Sequence, residues 1–305
     1  MGKLITVVLV LCLQFSYGQS YRDYFRNKVV SDSLTRQGKY IDAIPYLRVC
    51  ISEPAMMTVD DEFVFGYSLF KAGKVDSAAI FMEKALANDY HFNDMGSVEY
   101  WASQGVFDRF NKHEAMKGIA EQIKSNTSDF VNHTSFDSSL QKTLVRARET
   151  DQRFRGKNLD YSKQRKLDKA NQKLLRKIIK THGWPTNDIV GNDGSNAAFL
   201  IAQHSDNDNK FQRDCMNYIQ RAYYSKKIDP ASYAYIIDRE RINADKPQLF
   251  GTQFETGHID NELILHLKPV EDEEHVDLRR KIFGLSTVAD YLAQSKERLQ
   301  QYGNQ

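Results

Sequence analysis

Residues 65–86 read FGYSLFKAGKVDSAAIFMEKAL, and their pattern recurs 35 residues upstream. Leu34 falls on Leu69, Gly38 on Gly73, Lys39 on Lys74 and Ala43 on Ala78. Tyr40, Tyr46 and Ile51 fall on Val75, Phe81 and Leu86. Each copy predicts two helices joined by a tight turn. The glycine admits the left-handed backbone that ends a first helix, and the small alanine lets the second helix approach closely. One such pair cannot bury its apolar face alone, whereas stacked pairs share a continuous core. Residues 21–124 are therefore expected to form a domain of helical hairpins.

These positions resemble the tetratricopeptide repeat family. The second copy carries the family's alternation of large and small residues at Phe65, Gly66, Leu69, Gly73, Ala78, Met82 and Ala85. The first matches at Leu34, Gly38, Ala43, Leu47 and Cys50, with Pro54 near the closing proline. Two departures stand in the second copy: Glu62 holds the early tryptophan position and Tyr90 the closing proline position. Residues 98–123 read as one more, degraded helical pair. The resemblance implies a concave surface that binds a peptide or protein partner.

At the N-terminus, Lys3 precedes the apolar run LITVVLVLCL (residues 4–13), with small residues at Ser16 and Gly18. That order is a secretory signal peptide over 1–18, cleaved to leave Gln19 first, so the protein is expected to be exported, periplasmic or extracellular. Ten apolar residues are too few to span a bilayer, so no transmembrane helix is expected in the mature chain. Cys12 keeps a lipid-anchored form as the lesser alternative, since such a cysteine ordinarily follows a small residue and Leu11 is not small. Cys50 and Cys215, one in each half, are expected to be two buried thiols rather than a bridge. The 305 residues, 41% hydrophobic and 27% charged, suffice for two globular domains and exclude a disordered or fibrous chain. A net charge of +2 provides no whole-molecule attraction to polyanions, and no nucleic-acid partner is expected.

Residues 125–141 are rich in Ser, Thr and Asn and are expected to be a linker, with glycosylation sequons at Asn126 and Asn132. From Lys142 to Lys180 the chain holds fourteen Lys or Arg against four Asp or Glu. Leu167, Leu174, Leu175, Ile178 and Ile179 share one helical face there. An amphipathic surface helix, its charges solvated or matched by acidic neighbours, accounts for the pattern more simply than a polyanion-binding helix. Further helices are expected near 195–205, 209–225, 230–243, 274–283 and 287–301, the last with a Thr287/Asp290 capping box. A hairpin is expected from strands Gln248–Phe254 and Glu262–Leu267, turning at Gly257 and Asp260-Asn261. The fold class is mainly α, with a second helical domain over 142–302 carrying one small antiparallel hairpin.

That second domain concentrates polar and turn residues in short clusters: Asp151-Gln152-x-x-Arg155, Asp168-x-x-Asn171, His182-Gly183-Trp184-Pro185, Gln203-His204, Asp238-Arg239 and Gln248-x-x-Gly251-Thr252-Gln253. In this order they resemble an uncharacterised bacterial domain family of unknown function, over roughly residues 143–300. The resemblance implies a shared fold and no reaction.

Read physically, His182 ends the basic helix, where a cation suits the negative helix end, and Trp184 can wedge against the core after the Gly183 break. His182, His204 and Asp238 are the candidate catalytic groups; Trp184, Arg239, Gln248, Thr252 and Gln253 are the candidate ligand-binding ones. His204 with Asp206 could hold a transition metal, although the spacing matches no strong ligand motif. Asp206 to Asn209 resembles the start of a calcium loop, but Lys210 and Phe211 occupy positions that calcium needs. No P-loop, dinucleotide fingerprint or nucleophile elbow occurs, so no nucleotide cofactor is implied. Two functions follow: a binding module whose clusters line one polar cleft, or a hydrolase using His182 and His204 for proton transfer with Arg239 holding an anionic group.

Overall fold

The computed structural model describes residues 21–132, 135–153, 161–205, 207–259 and 262–303. The expected signal peptide with Cys12, together with Arg155, Asp206 and the turn residues Asp260 and Asn261, lies outside the described residues. Among those described, the chain is mainly α with one two-stranded antiparallel hairpin. It divides into two compact units between Thr134 and Ser135.

The first unit comprises α1 (21–36), α2 (Tyr40–Ile51), α3 (Val59–Lys71), α4 (Val75–Ala87), α5 (Met95–Ser103), α6 (Val106–Asn111) and α7 (Ile119–Asn132). Its first two hairpins turn in the same way. Gly38 and Gly73 have φ of +73° and +75°, and Lys39 N and Lys74 N each donate 2.9 Å back to Leu34 O and Leu69 O. Five residues past each glycine, Ala43 and Ala78 are fully buried. Gly66 shows how close α3 and α4 come: a Cβ there would lie 2.6 Å from Met82 Cγ and 3.0 Å from Ala78 O. Tyr90, just after α4, stacks on Phe63 with centroids 3.7 Å apart. The chain thus closes the second hairpin by aromatic packing.

Between the hairpins, the buried Asp61 accepts from Thr58 N at 3.0 Å as part of a capping box, while Lys28 Nζ lies 2.9 Å from its other oxygen. Burial opposes the charge on Lys28, but the carboxylates of Asp61 and Asp32 outweigh it and raise the ammonium above its ordinary range. Cys50 and Cys215 are free and buried, and burial pushes both thiols up to about 12. Neither is a nucleophile at neutral pH.

The division between the two units falls inside the stretch 125–141, and much of that stretch is helical. Residues 125–132 complete α7, and the next helix starts at Ser138. Thr127 is fully buried, donating to Ile123 O at 2.7 Å and accepting from Phe92 N at 3.1 Å. The Asn126 amide donates to Leu86 O and Tyr90 O, so that sequon is tied into the packing. Its polar residues serve buried backbone groups, which composition alone cannot distinguish from solvation.

The second unit holds α8 (Ser138–Arg153), α9 (Tyr161–His182), α10 (Asn187–Gln203), α11 (Asn209–Tyr224), α12 (Pro230–Asn243), β1 (Phe254–Ile259), β2 (Glu262–Leu267), α13 (Val276–Ile282) and α14 (Val288–Gly303). α10 begins earlier than expected and breaks at Gly191 (φ 65°, ψ 173°). The caps follow local chemistry: Asp229 accepts from Ala231 N ahead of Pro230, and Thr287 accepts from Asp290 N. Tyr223, Tyr233 and Phe283 stack at the core, with Phe250 packed against Phe283.

The hairpin pairs Phe254 with Leu267 and Ile259 with Glu262. Its first strand therefore starts where the expected strand Gln248–Phe254 ends. Residues 248–253 are a loop, which contributes one isolated parallel bridge from Gln248 to Val270. Three of its backbone N–H groups, those of Leu249, Phe250 and Thr252, are taken by a buried carboxylate and are not free to form a ladder.

Candidate functional site

That carboxylate is Asp238, on α12 and fully buried. It accepts from Leu249 N at 2.7 Å, Phe250 N at 3.0 Å, Thr252 N at 3.0 Å and Thr252 Oγ1 at 2.9 Å. The Gln248 amide closes the loop on itself, accepting from Gln253 N at 2.8 Å and donating to Gln253 O and Lys268 O. From outside, Arg279 Nε donates to Leu249 O, Arg280 Nη1 to Phe250 O and Tyr291 Oη to Thr252 O. Burial pushes the Asp238 carboxyl above its ordinary range, against the pull of the Thr252, Phe250 and Leu249 hydrogen bonds. Four residues expected at a site, Asp238, Gln248, Thr252 and Gln253, thus meet in one knot. Asp238, Gln248 and Thr252 use their polar atoms on the chain's own backbone and on one another.

Arg279 and Arg280, 3% and 1% exposed, complete this knot and went unread in the sequence. A pair of arginines on a short helix carries no periodic signal of burial, because the carbonyls they satisfy lie about thirty residues upstream.

A second cluster joins motif residues from three helices. Asp151, near the end of α8, is 2% exposed. Its Oδ2 lies 2.9 Å from His204 Nδ1 and accepts from Gln152 Nε2 at 3.0 Å. Its Oδ1 accepts from Gln164 Nε2 at 3.1 Å, and the same amide donates to Asp168 Oδ1 at 2.9 Å. Both polar groups of α9 in this cluster lie on its buried side, one helical turn apart. Gln164 was also missed: it belongs to none of the short clusters, and only the fold places it between two carboxylates. With its nitrogen so engaged, Gln164 Oε1 is buried without a hydrogen-bond partner among the described residues.

The imidazole, 19% exposed, sits at the C-terminal end of α10. A carboxylate can only accept from it, so Nδ1 carries the proton and Nε2 is left with its lone pair in the neutral ring. A buried acid that orients a partly exposed imidazole is the arrangement acid–base catalysts use to present Nε2 to a substrate.

His182 is exposed at the end of α9 and joins neither cluster by a hydrogen bond among the described residues. Trp184 is buried, as expected of a wedge after Gly183 (φ +77°), and its Nε1 has no partner among the described residues. Arg239 is part-buried next to Asp238 in sequence, while the donors to that carboxylate come from Leu249, Phe250 and Thr252. Among the described residues, no group of three or more His, Cys, Asp and Glu is placed to hold a metal ion.

Next to the second cluster, Asp208 caps α11 through Phe211 N at 3.0 Å and pairs with Arg176 Nη2 at 2.6 Å. The hydrogen bond from Phe211, followed by the charge of Arg176, holds its carboxyl below the ordinary 3.8. A depressed folded value means stability that is present above the unfolded value and lost as pH falls through the folded one. Asp208→Ala is expected to lower the melting temperature by a few degrees at pH 7, as a lost N-cap does. The difference between variant and parent should shrink as pH drops below 3.8 in thermal melts.

The two hydrogen-bonded clusters, carried on a helical unit with one hairpin, define the class of domain. A family model described as a family of unknown function (DUF6624) matches residues 138–302. That is more than half of the chain, and the chain belongs to this family. No curated protein and no solved structure matches it.

Proposed function

We propose that the family domain is hydrolytic, with His204 acting through Nε2 as general base toward water on a polar substrate. The observation that carries this reading is the 2.9 Å contact between His204 Nδ1 and the buried Asp151 carboxylate. Two further features support it. Gln164 Oε1, buried and without a hydrogen-bond partner among the described residues, leaves this cluster with an acceptor that its own contacts do not use. The Asp238 knot, by contrast, has its donors and acceptors matched internally.

In the same proposal the first unit is a tetratricopeptide-like scaffold that docks a peptide or protein partner, supported by the recurrent Gly38 and Gly73 turns. The chain works outside the cytoplasm, supported by the order of charge, apolar run and small residues over 1–18.

The test is a panel of chromogenic esters, phosphate esters and glycosides, offered to the parent and to His204→Ala. One class should be turned over, with kcat falling by about 10²-fold or more in the variant while its melting temperature stays within a few degrees. Equal turnover by the variant, or none of any class by the parent, would contradict the reading.

A further inference from the structure

The cations of α9 are arranged in a way its burial pattern does not require. Lys166, Lys169, Lys173, Lys177 and Lys180 recur at spacings of three and four, which places them on one stripe along the helix. All five are exposed, and the stripe runs about 21 Å at 1.5 Å per residue. None of the five has an ion-pair partner among the described residues, whereas Arg176 beside them is paired with Asp208. The opposite face of α9 is committed to its own unit through Leu175 and Ile178, 0% and 5% exposed. The helix can therefore present its charges but cannot turn its apolar side outward.

At one end of the stripe a cleft of about 490 Å³ opens between α9 and α11. Arg176, Lys180, Arg221, Asn217 and Tyr218 line it, and its one carboxylate, Asp214, is 3.0 Å from Lys210. Lys180 and Arg221 have no ion-pair partner among the described residues.

We propose that this face docks the second unit on an anionic phospholipid surface, with the cleft taking a headgroup phosphate. A row of point charges on flexible stems suits a laterally mobile sheet of phosphates, each lysine adding to the attraction. Nucleic acid fits less well. The exposed positions of the stripe carry Lys, Arg and Ala170, and the aromatic and amide side chains able to stack on or read a base, Tyr218 and Asn217, are confined to the cleft at one end. The choice of lipid also draws on export, which removes the chain from nucleic acid; the binding test itself does not depend on it.

The experiment is flotation of the full chain with phosphatidylcholine vesicles, with and without phosphatidylglycerol. The neutral vesicles set the baseline for the apolar run at residues 4–13. Binding to the anionic vesicles should be tighter, should weaken as salt shortens the screening length, and should fall more than about tenfold in Lys169→Gln/Lys173→Gln/Lys177→Gln with the melting temperature unchanged. Arg221→Gln, on the other wall of the cleft, should also weaken it, and decides the matter if the triple variant fails to fold. Equal binding to both vesicles, or parental binding by the variants that fold, would overturn the proposal. So would displacement by millimolar glycerol phosphate, which would make the cleft a site for a soluble phosphate. Tighter binding to a DNA duplex than to the vesicles would overturn it in favour of nucleic acid. None of these readings involves His204 turnover, so either proposal can fail without the other.

Discussion

Asp238→Ala is expected to destabilise the second unit by about 3–5 kcal/mol, the range for stranding several buried polar groups at once. The carboxylate is fully buried and accepts from three backbone N–H groups and one hydroxyl. Removing it leaves the donors of Leu249, Phe250 and Thr252 unpaired. The loop they belong to also anchors Arg279, Arg280 and Tyr291 through its carbonyls, so the loss should spread to the packing of α13 and α14. Asp238→Asn keeps the shape but turns an amide nitrogen toward N–H groups, and it should recover only part of the loss. Urea unfolding of both variants measures this. A midpoint for Asp238→Ala equal to the parent's would mean that the loop does not depend on the carboxylate.

In the first unit the largest effect should come from Gly66→Val. A Cβ at this position meets Met82 Cγ at 2.6 Å, Ala78 O at 3.0 Å and Met82 N at 3.1 Å. The Met82 side chain could yield, but the other two atoms are backbone of α4 and could move only with the helix. A branched side chain should therefore force α3 and α4 apart and cost about 2–4 kcal/mol, at or above the usual range for overpacking. The unfolding midpoint of the first unit reports it. Valine tolerated without change would show that the two helices are not in the close contact that the glycine permits.

These two sites also mark how far the sequence could be read. The turns at Gly38 and Gly73, and the alanines five residues on, were legible because their requirements are local: a positive φ at one residue and a small side chain at another. Strand β1 was misplaced because Gln248 to Phe254 has the composition of a strand, and nothing nearby shows that Asp238, ten or more residues earlier, claims its N–H groups. The helical part of 125–141 was hidden for a related reason: Thr127 and Asn126 look like solvated residues until α4 and the residues just after it supply the backbone groups they bind.

The candidate site was legible in its parts. Asp151, Asp168 and His204 each stood out within a short cluster, but 53 residues separate Asp151 from His204, and only the packing of α8, α9 and α10 joins them. Trp184 lay where the helix break put it, while His182 stayed apart, because a histidine at a helix end is served by the helix itself.

The central claim is that Asp151 fixes the His204 ring with its proton on Nδ1. Long-range proton–nitrogen correlation spectra of the ring nitrogens test it without knowledge of the substrate. In the parent protein the neutral His204 ring should be the Nδ1–H tautomer, and Asp151→Asn should shift it toward a mixture or the Nε2–H form while the rest of the spectrum keeps its folded dispersion. An Nε2–H tautomer in the parent, or a tautomer that does not respond to Asp151→Asn, would contradict the account.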